Sequence, residues 1–196
     1  MNYEHWRQYA RGWLFHFIGK TDQAYAAYTL AFHHNPQDVR SARHLASIAA
    51  QRQNYSVAER WFVEVLRISP DDADSHYNLG FVREQMKAPR LAIESFKDAV
   101  RLSPSLDRAW YGMGLAHAAL GEHVDAATAL REAVRLQPMN GYAWYQLGMA
   151  YHRSGEPNKV EHVVTKLLAF DPKITRQLLN DSGRQDLLHL LPEMPW

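Results

Sequence analysis

The stretches "AWYGMGLAHAALG" (residues 109–121) and "AWYQLGMAYHRSG" (residues 143–155) share an opening Ala-Trp-Tyr, a run of small and apolar residues, and a closing Gly. The second begins 34 residues after the first. Self-similarity at such a spacing marks one supersecondary unit used in tandem. The prolines carry the pattern outward in both directions. Pro36, Pro70, Pro104, Pro138 and Pro172 are each 34 residues apart, without an insertion.

Setting blocks at 5–38, 39–72, 73–106, 107–140 and 141–174 brings the remaining positions into register. The eighth place holds Gly12, Ala46, Gly80, Gly114 and Gly148. The twentieth holds Ala24, Ala58, Ala92, Ala126 and Val160, and the twenty-fourth Tyr28, Phe62, Phe96, Leu130 and Val164. Each block divides at a turn such as Gly121-Glu122 or Gly155-Glu156, and both halves carry apolar residues at helical spacing. In the fourth block Trp110, Met113, Gly114 and His117 fall on one stripe of a helix, and Ala126, Leu130 and Ala133 form the opposing stripe. Gly114 and Ala126 are expected to let the two backbones approach closely. Pro89 and Pro157 fit the first turn of a second helix, where the missing N–H is not needed. A lone hairpin cannot bury its apolar face, so the hairpins must stack.

This pattern resembles the tetratricopeptide repeat across about residues 5–174. The resemblance implies an all-α, right-handed α-solenoid of tandem antiparallel hairpins, with residues 175–196 as a capping helix or helices and a short tail. It also implies a non-enzymatic protein–protein interaction module, such as an adaptor, co-chaperone or assembly factor. One subclass clamps a C-terminal carboxylate with basic and Asn residues at fixed places. Arg43, Asn78 and Arg108 match that clamp, whereas Ser47 and Gly112 depart from it.

Composition narrows the function further. The 196 residues carry 22 Lys+Arg against 21 Asp+Glu, so no strong overall field favours a phosphate backbone, and nucleic acid is not an expected partner. The absence of cysteine excludes disulfides, thiol catalysis and zinc–thiolate sites. The start of the chain, "MNYEHWRQYARGWLFHFIGK", does not read as a secretory signal, because Glu4, Arg7 and Arg11 interrupt any apolar core. Its longest apolar run is far shorter than the ~20 residues that cross a bilayer, so no integral membrane segment is expected and the location is read as cytoplasmic.

The ends differ from the middle. Arg11 stands where later blocks have Leu45, Leu79, Met113 and Leu147. The rings of Trp6, Tyr9, Trp13, Phe15 and Phe17 are expected to pack mostly inside the first hairpin and onto the second. After Pro172, the paired leucines of "KITRQLLNDSGRQDLLHLL" predict one or two short helices that seal the stack, followed by the tail "PEMPW" ending in Trp196.

The first helices of a solenoid line its inner face, at places two, five, six, nine, twelve and thirteen of each block. Those places predict a peptide-binding groove with two characters. Tyr77, Phe81, Tyr111, Leu115, Tyr145 and Met149 form an aromatic and apolar strip, while Arg40, Arg43 and Arg108, with Asn78 and His44 nearby, supply polar recognition. Rings kept exposed are commonly used in recognition, and Tyr and Arg supply much of the binding energy at interfaces. The eleven histidines scatter in the register, no catalytic motif occurs, and His117 is read as a core histidine satisfied by a neighbour. No spacing suggests converging metal ligands, so neither metal nor cofactor is expected. The leading expectation is an adaptor binding a partner's peptide, and the alternative is a self-assembly scaffold using the aromatic first helix or the tail.

Overall fold

The computed structural model describes residues 3–191. The tail at 192–196, including Trp196, lies outside the described residues. Eleven α-helices follow one another: α1 (Tyr3–Phe17), α2 (Thr21–His34), α3 (Val39–Gln51), α4 (Tyr55–Ile68), α5 (Ala73–Gln85), α6 (Pro89–Leu102), α7 (Asp107–Ala119), α8 (His123–Leu136), α9 (Gly141–Arg153), α10 (Pro157–Leu168) and α11 (Pro172–Asp181). A short 3₁₀ helix, Gln185–Leu190, closes the described chain, and no strand occurs among the described residues. The fold is all-α, built of tandem antiparallel hairpins. It divides into two compact units, one reaching Ser103 and one starting at Pro104. The first unit holds the pairs α1/α2, α3/α4 and α5/α6; the second holds α7/α8 and α9/α10, with α11 against α9 and α10.

Backbone hydrogen bonds close every hairpin in the same way. The N–H of Lys20, Asn54, Ala88, Glu122 and Glu156 each reaches back to the carbonyl of Phe15, Ala49, Arg83, His117 and Tyr151, respectively, at 2.8–3.0 Å. This is the Schellman ending, which satisfies carbonyls that a helix terminus leaves unpaired and requires a left-handed residue just before the bonded N–H. Gly19, Gly121 and Gly155 occupy that position at no steric cost; Gln53 (φ 58°) and Lys87 (φ 60°) occupy it in the second and third blocks.

Between hairpins the sequence supplies caps. Asp38, Asp72 and Asn140 accept backbone N–H groups from the first turn of α3, α5 and α9. Pro36, Pro70, Pro104 and Pro138 lie in the turns just ahead of α3, α5, α7 and α9. A donor at the fourth place ties this junction down: His76 Nε2, Trp110 Nε1 and Trp144 Nε1 donate to the carbonyls of Pro70, Pro104 and Pro138 at 2.8–2.9 Å. Pro172 keeps the spacing but not the role. It follows the N-cap Asp171 and opens α11, so the register is lost there.

The two helices of a hairpin meet where the eighth place faces the twenty-fourth. A Cβ on Gly80 would lie 2.6 Å from the Phe96 ring, and one on Gly12 would lie 2.7 Å from the Tyr28 ring. A Cβ on Gly114 would meet Leu130 at 2.6 Å and the Ala126 carbonyl only at 3.3 Å, so the close approach expected from Gly114 and Ala126 is set chiefly by Leu130. Val164 is too short for this role in the fifth block. Leu178 of α11 comes against Gly148 instead, and Val163 stands beside it.

Side chains held in the left-handed region cost about 1–2 kcal/mol each, and glycine returns part of that through its extra freedom when unfolded. Lys87→Gly is therefore expected to stabilise the chain by about 0.5–1 kcal/mol, read as a higher melting temperature. A lower melting temperature would contradict this account of the turn.

Candidate functional site

In the first unit, α1, α3 and α5 carry the places expected to face inward. The expectation that most of the α1 rings pack inside the first hairpin does not hold for three of them. Trp6 is 40% exposed, Trp13 56% and Phe17 77%, while Tyr9 and Phe15 are half-buried. The helix instead buries His5, Gln8 and Gly12. The reason is steric and polar together: Tyr28 fills the space against Gly12, and His5 donates from Nε2 to the buried Asp38 carboxylate at 2.8 Å.

Arg40 and Arg43 are exposed on α3 but differ in their commitments. The Arg43 guanidinium donates to Asp72 at 2.6 Å, so the residue matching the first base of the carboxylate clamp is already paired. Arg40 lies 4.7 Å above the Trp6 ring and 5.0 Å above Tyr9, a cation–π arrangement that fixes its orientation. On α5, Tyr77 and Asn78 are half-buried, with the Tyr77 ring 6.0 Å from Phe96, and Phe81 is 41% exposed.

In the second unit Arg108 is exposed, whereas Tyr111, Leu115, Tyr145 and Met149 are half-buried. Tyr111, Tyr145 and Met149 pack against the core of that unit. The Tyr145 hydroxyl donates to Asp181 at 2.7 Å; burial first, and then Asp181, push its pKa up. A cleft of about 190 Å³ opens beside these residues, lined by Ala118, His123, Tyr145, Gln146, Met149, Ala150 and Arg153. Gln146 and Arg153 are polar contributors that the sequence reading did not single out. They occupy the sixth and thirteenth places, so the register alone could have found them.

His117 is 9% exposed and exchanges a 2.7 Å hydrogen bond with Glu122, as expected of a satisfied core histidine. Ligand atoms of His117, Glu122 and Asp125 do fall within 4.8 Å of one another, a convergence that the spacings did not suggest. The His117–Glu122 bond already accounts for two of the three.

Electrostatics concentrate at the α1/α3 junction. Burial alone would raise the pKa of Asp38, but hydrogen bonds from Ser41 and His5 outweigh it and hold the carboxyl below its ordinary value. Burial, with His16 and Arg43 nearby, lowers His44, which stacks on Tyr28 at 4.4 Å. Burial and Tyr9 push Tyr28 up to about 12, and its hydroxyl has no hydrogen-bond partner among the described residues.

Hairpins of fixed length, with a repeated turn and variable side chains on the first helices, define a helical-repeat interaction protein. The tetratricopeptide repeat family matches residues 9–73, 83–138 and 125–158, and the chain belongs to that family, typically a non-catalytic interaction fold. Solved structures share the fold. The MamA protein is similar at a TM-score of 0.81 and 19% identity, covering 100% of each chain. YrrB, a TPR protein with an unusual peptide-binding site, gives 0.78 and 20%, with 90% of each chain covered. MamA from Desulfovibrio magneticus RS-1 gives 0.79 and 21%, covering 87% of this chain and 97% of that one. No curated protein matches the sequence. No helix among the described residues is long and apolar enough to cross a membrane.

Because Asp38 has a lowered pKa when folded, it contributes stability above the unfolded value of 3.8 and loses it as pH falls through the folded value. Asp38→Asn should cost about 1–3 kcal/mol at neutral pH. The gap in melting temperature from the parent chain should narrow as the pH is taken below the unfolded value. A gap that stays constant down to strongly acidic pH would contradict the network.

Proposed function

We propose that the chain is a cytoplasmic, non-catalytic adaptor of five repeats (5–38, 39–72, 73–106, 107–140 and 141–174) and a C-terminal cap (175–196). Its first helices take a segment of a partner protein. In the first unit the contacts are Arg40, Arg43, Tyr77, Asn78 and Phe81; in the second they are Arg108, Tyr111, Leu115, Tyr145 and Met149. The observation that carries this reading is the cleft bordered by Tyr145 and Met149, two of the residues expected to face a ligand. Its walls join an aromatic ring and a thioether to Gln146 and Arg153, a mixture suited to an apolar side chain flanked by polar backbone. The peptide-binding site ascribed to YrrB, which shares this fold, is consistent with such use. Self-association through α1 is the competing reading, favoured by its exposed rings.

Met149→Asp places a charge in the apolar wall of the cleft. Partners that co-purify with the tagged parent chain, identified by mass spectrometry, should be lost with this variant while helicity by circular dichroism is retained. Recovery of the full partner set with the variant would overturn the cleft's role.

A further inference from the structure

We infer that α1 and the start of α3 form a receptor for an acidic–apolar segment of a partner protein, with Trp13 and Phe17 seating a bulky side chain and Arg40 taking the neighbouring carboxylate. The inference rests on the adaptor reading and adds a ligand chemistry to its first unit.

The composition of α1 is inverted relative to its burial. It covers His5, Gln8 and Gly12 and leaves Trp6, Trp13 and Phe17 toward solvent. The fold does not demand rings at those places, because the next block has Arg40, Ser47 and Gln51 there. Trp13 and Phe17 stack on one another, with ring centroids 5.7 Å apart and planes 10° from parallel, and so form one exposed aromatic pair. Trp13 follows Trp6, the ring under Arg40, by seven residues and so shares its face of α1 two turns along; exposed rings on one face with a cation are a recognition surface rather than a structural necessity.

Arg40 supplies that cation. Its Nε reaches Asp38 only at 3.5 Å, and Asp38 is already engaged by His5 at 2.8 Å and by the Ser41 hydroxyl at 2.6 Å. Neither terminal nitrogen of Arg40 has an acceptor among the described residues, although the guanidinium is held between the Trp6 and Tyr9 rings, 4.7 and 5.0 Å from their centroids. A planar fork fixed in this way is prepared for a bidentate carboxylate. The surrounding charge points the same way. Residues 3–54 carry six Lys or Arg against three Asp or Glu, and the rest of the chain is net acidic. Arg7, Arg43 and Arg52 are neutralised by Glu4, Asp72 and Asp22. A basic ligand would be repelled. Of the other cations without a carboxylate, Arg11 turns to Gln8 and the Phe15 ring and Lys20 follows the end of α1, whereas Arg40 is held between two rings. One oriented guanidinium suits one carboxylate.

The test is selection of a phage-displayed random peptide library on the intact chain. The selected peptides should carry Asp or Glu within two residues of an aromatic or large aliphatic side chain. They should bind Arg40→Glu and Trp13→Ala roughly tenfold or more weakly and bind Val124→Asp, at an exposed position on α8, as they bind the parent chain. Arg40→Lys, which keeps the charge but not the flat fork, should be intermediate. Circular dichroism confirms that each variant is folded. Selected peptides that are basic, or whose binding survives both Arg40→Glu and Trp13→Ala, would overturn the inference. So would peptides lost only with Met149→Asp, which would leave the adaptor reading intact, whereas failure to select any peptide would overturn both. Light scattering that shows a second copy docking through Trp13, or sedimentation with phosphatidylserine vesicles that depends on Trp13, would assign the face to another occupant and likewise overturn it.

Discussion

A missing side chain on one helix, facing a large one on its partner, sets the geometry on which the rest of the chain depends. Gly12 against Tyr28, Gly80 against Phe96 and Gly114 against Leu130 each leave room for one ring or branched chain and no more. Ala46 and Phe62 lie in one core cluster of the second block. Because interiors pack at near-crystalline density, this contact fixes the separation of the two helices. The fifth hairpin lacks the large residue, and α11 provides Leu178 in its place. The cap thus completes the hairpin it covers.

Fixing the hairpin leaves other places on the first helix uncommitted, and there function can vary without cost to the fold. The junctions use a separate set of polar groups: an N-cap carboxylate or amide with a Ser or Ala three places on at α3, α5 and α9, and a ring N–H donating to the proline carbonyl at α5, α7 and α9. Buried polar groups satisfied in this way specify the junction as well as stabilise it. At the α1/α3 junction the same chemistry does something further. By engaging Asp38, His5 and Ser41 leave Arg40 without a full counter-ion, which connects the internal capping network to the outward face.

Helix pairing, the glycine register and the proline junctions were legible because they repeat every 34 residues and obey simple helical periodicity. Deviations from the repeat were not legible. The left-handed turn in the second and third blocks is occupied by Gln53 and Lys87, which carry no glycine signal, and only the backbone reveals it. The rings of α1 looked like core because aromatic residues in a terminal helix usually are; a buried His5–Asp38 pair across 33 residues displaced them, and no local pattern announces such a pair. Arg43 appeared available until its contact with Asp72 was seen. Of the expected groove residues, Tyr145 and Met149 line the cleft of the second unit. It could not show that Tyr77, Tyr111 and Tyr145 would be half-buried, because the fifth place lies at the edge of the packing stripe.

A double-mutant cycle on Gly80 and Phe96 tests the packing constraint most directly. In the parent chain Gly80→Ala should destabilise, because the new methyl meets a ring it cannot pass. In a Phe96→Ala background the obstruction is gone, and the same change should stabilise by about 0.5–1 kcal/mol, the ordinary preference of a helix for Ala over Gly. An effect of equal sign and size in both backgrounds would mean that the hairpins are not spaced by this contact.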